Sequence, residues 1–166
     1  MPVRPVVLLP EAVLSVPCTP VGPVDDAALS LAQDLFDTMR AAPHCVGLAA
    51  PQIGVGRRAF VVDVTGHPKA RSCHGAFVLF DPRVVAAEEP EVAREGCMSV
   101  PDLTGDVARA TRLTVAGTGL DGAQLELEVD AFEARAVQHE LDHLDGLLFL
   151  DRVAGPHRIF PRKVYR

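Results

Sequence analysis

Gln138-His139-Glu140-Leu141-Asp142-His143-Leu144-Asp145-Gly146 is the stretch on which the reading of this chain turns. It contains H-E-x-x-H. On an α-helix, residues four apart lie on one face, one turn from each other, so His139 and His143 can close on a single metal ion. Glu140 directly follows the first histidine and can lean toward an activated water as general base. Ala131 to Val137, just before the motif, are mostly good helix formers without Gly or Pro, and Asp130 stands where an N-cap is wanted. The motif alone describes a polar helix face equally well, since five-residue matches arise by chance. A third ligand decides between the two readings.

Two metallopeptidase layouts place that ligand after the helix. In H-E-x-x-H-x-x-G-x-x-H, Gly146 holds the glycine position, but Phe149 stands where the third histidine belongs. A layout with a more distant downstream Glu fails too, because no Asp or Glu follows Asp151. Asp145, Asp151 and His157 remain, and none matches either spacing. Upstream, Cys97 is the strongest candidate, because a thiolate is a strong ligand and Gly96 beside it lets the backbone turn closely. Cys73, in a polar loop, has less to recommend it. One cysteine and two histidines leave a fourth position open, which is the arrangement of a catalytic site and not of a closed structural one.

The bulk properties fit an enzyme of this size. The chain of 166 residues is read as one catalytic domain, 1–166, with a short C-terminal tail from about residue 152 that is locally basic and solvated. Hydrophobic residues make up 48%, charged residues 23%, and the net charge is -6 with no basic block. That argues against a specific nucleic-acid ligand, which needs a positive footprint. Val6-Val7-Leu8-Leu9 is too short for a signal h-region, and no stretch is apolar enough to span a membrane. The four cysteines form no C-x-x-C pair and read as thiols or ligands. The expected compartment is the cytoplasm.

Taken in order, five prolines between Pro5 and Pro23 give an extended, turn-rich start. Asp25 or Asp26 can cap a helix running to about Arg40, with Leu29, Ala32, Leu35, Phe36 and Met39 on one apolar face. His44 to Gly54 strings small residues around one amide, Gln52, which suits either a close-packed turn or a close backbone approach to a ligand. Ala59–Val64 and Ala76–Phe80 read as strands, and Val84-Val85 begins a third. His67 and His74, in the loop between, read as exposed. Arg112–Ala116 and Gln124–Val129 read as an antiparallel hairpin. Strands gather between two helices, which predicts an α+β fold of mainly antiparallel β-sheets packed around a central helix that carries the motif.

Three stretches then carry a resemblance. Val46-Gly47-Leu48-Ala49-Ala50-Pro51-Gln52, Glu95-Gly96-Cys97-Met98-Ser99 and Gln138-His139-Glu140-Leu141-Asp142-His143 resemble the three signature motifs of the peptide deformylases, in the family's order and approximate spacing. The resemblance implies that Cys97, His139 and His143 bind one divalent metal, Fe²⁺ by preference, with Zn²⁺, Ni²⁺ or Co²⁺ also accepted. It makes Glu140 the general base, and Gln52 (side chain) and Met98 (backbone N–H) the oxyanion donors. It assigns substrate contacts to Val46, Gly47, Leu48, Gly96 and Ala136, with Val46 and Ala136 lining a methionine pocket. The substrate would be the formylated N-terminus of nascent peptides, released as formate and a free amine. Asp142 and Arg109 match positions that the family pairs. Cys45 departs from the family's usual Gly and places a second thiol near the metal. Met98 replaces the usual Leu, and Thr104 stands where many members carry Arg. No long C-terminal helix follows Asp151, so proximity to the ribosome is expected without docking through such a helix. The competing readings are a catalytically weakened paralogue and another H-E-x-x-H amidase or peptidase.

Overall fold

The computed structural model describes residues 3–153 and 155–162. Helix α1, Asp26–Ala41, starts where the Asp25 carboxylate accepts the Ala28 N–H. Its buried face is Ala28, Ala32, Leu35, Phe36 and Met39. Leu29, expected on that face, is 42% exposed, and Ala28 takes its place one position earlier.

Six strands form one sheet with antiparallel pairing throughout, as the α+β reading expected. They are β1 (Gly47–Ala49), β2 (Ala59–Val62), β3 (Phe77–Cys97), β4 (Val100–Thr118), β5 (Gln124–Asp130) and β6 (Ile159–Pro161). The order is β1-β2-β3-β4-β5, with β6 paired to the far end of β4. All four residues of β2 are buried, because alternate side chains enter different cores. Phe60 and Val62 join Leu113, Val115 and Val129 against Val137, Leu141 and Leu144. Ala59 and Val61 join Leu35, Phe36, Leu48 and Phe80 on the α1 side. The expected hairpin is present as β4–β5, with Arg112 opposite Asp130 and Ala116 opposite Glu126.

The largest departure from the sequence reading is β3. It continues past Val84 for a total of 21 residues, with register shifts between Phe80 and Arg83 and between Val84 and Ala86. Beyond Arg83 it pairs only with β4, so Pro90 and Glu88, Glu89 and Glu91 sit on a free edge, where a proline costs no ladder bond. The hairpin closes with Cys97 opposite Val100, leaving Met98 and Ser99 as its turn.

Helix α2, Ala131–Leu144, carries the H-E-x-x-H motif into the middle of the fold. Asp130 holds the N-cap position but makes no cap bond; its carboxylate accepts the Ser72 N–H at 2.9 Å. The cause is local, because Ala131 enters the helix through a left-handed φ of 47°. From about residue 152 the described residues are largely exposed, as expected of a solvated tail, but they are tied to the sheet. Val153 bridges to Val107, and β6 lies along Leu103–Gly105 of β4. Gly105 permits this crossing, since a Cβ there would lie 2.6 Å from Val153 Cγ1. Among the described residues, no helix is long and apolar enough to cross a membrane.

Candidate metal and catalytic site

The hairpin turn and α2 bring three soft or borderline donors together. Cys97, His139 and His143 each offer one ligand atom, and these atoms lie within 4.8 Å of one another. All three side chains are buried or nearly so. Cys97 Sγ is 3.4 Å from His143 Nε2. His139 turns its Nδ1 toward Glu95 Oε1 at 2.5 Å, which leaves Nε2 for an ion and fixes the ring.

The electrostatics suit a cation. Burial works against protonation of His139, yet Glu140, Cys97 and Glu95 around it raise its pKa well above 6.5. The same anionic surroundings favour a divalent ion. Burial, reinforced by His139 and Arg109, pushes His143 well below 6.5, so its imidazole is neutral and ready to ligate. His143 Nδ1 and Glu140 Oε1 are buried polar atoms without a hydrogen-bond partner among the described residues. A thiolate with two imidazoles is a donor set for Fe²⁺, Co²⁺, Ni²⁺ or Zn²⁺ and not for Mg²⁺ or Ca²⁺.

Glu95, quoted within a signature motif but given no role of its own there, proves to be part of the site. Residues two apart on a strand share a face, and that period places Glu95 beside Cys97. Its carboxylate accepts from Arg109 Nη2 at 2.7 Å and Nε at 3.2 Å, and from Arg135 Nη1 at 3.1 Å. Burial would raise its pKa, but hydrogen bonds from His139 and Arg109 outweigh that and hold the carboxyl well below the usual range. Arg109 also donates from Nη1 to Asp142 Oδ2 at 2.5 Å, as the family pairing implied. The pair is buried, with Arg109 4% and Asp142 5% exposed, and Arg152 closes on Asp142 from the other side. Cys97's strand and the histidines' helix are thereby joined by one ionic network.

Glu140 sits where a base is needed. Burial pushes its pKa up to about 7, opposed by His139 and assisted by Glu95. Gly47 lies directly against it, since a Cβ there would be 2.7 Å from Glu140 Oε2. Gln52 accepts the Ala49 N–H through Oε1 at 3.0 Å, so its amide NH₂ points at Cys97 Sγ, 3.6 Å away, and at Ser99 Oγ, 3.2 Å away. A cleft of about 370 Å³ is lined by Val46, Gly47, Gln52, Gly96, Met98 and Ala136 together with His139 and Glu140. Phe132 and Arg135 line it as well and were not anticipated.

Three expectations change. Leu48 does not line the cleft; its side chain is fully buried in the α1-side core. Cys45 is no rival thiolate, because burial, with Glu140 adding to it, pushes its pKa up to about 12 and its Sγ donates to the Gly47 carbonyl. His74 is exposed, as expected, whereas His67 is half-buried. His67 stacks on Phe132 at 3.8 Å between ring centroids, and His74 Nδ1 pairs at 2.7 Å with Glu133, which is fully buried.

Comparison with known proteins gives a consistent result. The Polypeptide deformylase family profile matches residues 3–158. A peptide deformylase of Desulforudis audaxviator is 43% identical over 98% of this chain and 99% of its own length. A peptide deformylase from Ehrlichia chaffeensis in complex with actinonin superposes with a TM-score of 0.86 at 32% identity, covering 93% of this chain and 90% of that one. A Met-Ala-Ser bound class I type b peptide deformylase from Acinetobacter baumannii superposes with a TM-score of 0.83 at 34% identity, covering 90% of this chain and 99% of that one.

Proposed function

This chain belongs to the peptide deformylase family of metal-dependent hydrolases, and from that premise we propose how its residues divide the work of removing the formyl group from formylated N-terminal methionine. The observation that carries the assignment is the convergence of Cys97, His139 and His143 beside a buried carboxylate, Glu140. Cys97, His139 and His143 would hold one divalent ion, which would supply Lewis acidity toward the formyl carbonyl and water. We take Fe²⁺ as the physiological ion on family resemblance, and the donor set accepts Zn²⁺, Ni²⁺ and Co²⁺ as well.

Glu140 accepts the proton of the attacking water and returns it to the leaving nitrogen, so that the C–N bond breaks into formate and a free amine. Its elevated pKa suits this double duty, since a base near neutrality both takes and gives a proton. The Gln52 amide NH₂ and the Met98 backbone N–H receive the charge that develops on the formyl oxygen. Val46, Ala136 and Phe132 receive the methionine side chain, while Gly47 and Gly96 keep the mouth narrow enough to favour formyl over larger acyl groups. Glu95 orients His139, and Arg109 holds Glu95 and Asp142 in place. Residues 1–166 act as one catalytic domain on nascent chains in the cytoplasm, close to the ribosome.

The Glu140→Gln protein, loaded with Fe²⁺ or Ni²⁺, should keep its metal and lose nearly all formate release from formyl-Met-Ala-Ser. Wild-type turnover by that variant would overturn the assignment of the base. Preference of the wild-type protein for the acetylated peptide over the formylated one would overturn the substrate.

A further inference from the structure

The C-terminal segment supplies a residue to the cleft. Arg162 lines the cleft beside Gly96, and its guanidinium donates to the Cys97 carbonyl at 3.4 Å, next to a proposed metal ligand. Gly96 is shaped to this arrangement, because a Cβ there would run into the Arg162 guanidinium and touch Thr104 Cγ2 at 3.4 Å.

The seat of this arginine is built. Its own N–H donates to the Asp102 carbonyl at 2.9 Å, one residue beyond the β4–β6 pairing of Leu103–Gly105 with Ile159–Pro161. Phe160 lies under the Arg94 guanidinium at 3.8 Å. Arg94 and Arg158 both clamp Asp106, at 2.9 and 3.0 Å.

Of the three arginines lining the cleft, Arg94 is paired with Asp106 and Arg135 with Glu95. Arg162 has no carboxylate partner among the described residues. One carbonyl contact leaves most of its donors available, and a guanidinium fork matches a carboxylate. The chain as a whole carries a net charge of -6 and repels anionic peptides at long range, so a local cation at the mouth matters for them.

We propose that Arg162 is a specificity-determining residue that receives a carboxylate on the residues following the formylated methionine. This rests on the deformylase reading above. The carboxylate has two sources: the free C-terminus of a short peptide, or an acidic side chain near the start of a longer one.

The test compares metal-loaded wild type, Arg162→Gln and Arg162→Lys on formyl-Met-Ala-Ser as free acid and as amide. A second pair is formyl-Met-Ala-Asp-amide against formyl-Met-Ala-Asn-amide. Wild type should favour the anionic member of at least one pair by about fivefold in kcat/KM, mostly through KM, as for an exposed ion pair. Arg162→Gln should abolish that preference and Arg162→Lys retain part of it, and high salt should erode it. The pair that shows the effect identifies the source. Calorimetry with the deformylated products, Met-Ala-Ser and its amide and Met-Ala-Asp-amide and Met-Ala-Asn-amide, reads the same preference without turnover. Absence of turnover would therefore sink the deformylase reading while the binding ratios still judge Arg162. No preference in either pair, or a preference that survives Arg162→Gln, overturns the proposal.

Discussion

Gly47→Ala tests the geometry of the base most directly. The added methyl carbon would stand 2.7 Å from Glu140 Oε2, 3.1 Å from its Cδ and 3.2 Å from its Cγ. Non-bonded carbon contacts are comfortable at about 3.5–4.0 Å, so the carboxylate must retreat by roughly 0.5–1 Å. The strand cannot give way in its place, because β1 is paired to β2 and Leu48 is locked in the core beneath. A catalytic group displaced by about 1 Å loses on the order of 100-fold in rate, which is about 2.7 kcal/mol of barrier. The overpacking itself costs about 1–3 kcal/mol of stability. The assay is kcat for formate release at saturating formyl-peptide, with metal content and Tm measured on the same sample. Gly56→Ala is the control, since a Cβ there meets nothing within 4 Å. A Gly47→Ala enzyme with full metal and a kcat within threefold of wild type would refute the placement of Glu140 against β1.

Glu95→Gln should weaken metal binding by about 10- to 100-fold, read by competition with a chromophoric chelator, because the His139 ring loses its charged partner. The same variant should flatten the acid stability curve of the metal-free protein. A carboxyl depressed in the folded state adds stability above its ordinary value near 4.5, and that contribution is lost as the pH falls through the lower folded value. Tm profiles below about pH 4.5 that coincide for wild type and variant would contradict this. Cys45→Ser should keep one ion per chain and turnover within about threefold, a surface-like effect, since the native thiol stays protonated and only donates to Gly47. Loss of metal from Cys45→Ser would show that the thiol ligates after all. Chelation should abolish turnover and lower Tm while leaving the near-ultraviolet dichroism of the fold, because Glu95 and Gln52 already hold His139 and Cys97 from the protein side. A collapse of that signal on chelation would show that the site assembles only around the ion.

What could be read in advance follows from how local each signal is. H-E-x-x-H announces itself because the helical period alone brings His139 and His143 together. Cys97 was reachable by its chemistry and by the failure of every downstream ligand. Glu95 obeys an equally simple rule, but the rule requires knowing that its segment is a strand. Charge and Pro90 hid that strand, and only the pairing with β4 reveals it. The three residues of β6 have no period of their own, so the β4 edge decides their state. Leu29 was misplaced because helical spacing fixes the apolar face only to within a residue, and Leu48 because a family motif names a position without saying which way its side chain turns.

The turn at Met98 and Ser99 also bears on the order in which the site comes into being. Cys97 and Val100 close a two-residue loop, the shortest-range contact that a sheet can make. Hairpins zip from such turns in about 1–10 μs, long before distant segments meet. The thiol and the neighbouring backbone donor therefore take their relative positions at the first step of β3–β4 pairing. The two imidazoles take theirs just as locally, one helical turn apart on α2. Bringing these two halves together takes contacts far apart in sequence, and Glu95 and Arg109 are among the residues that span them. A substitution at Arg109 is thus expected to act on the rate at which the centre is assembled, while one at Cys97 or His143 acts only on what the assembled centre can hold.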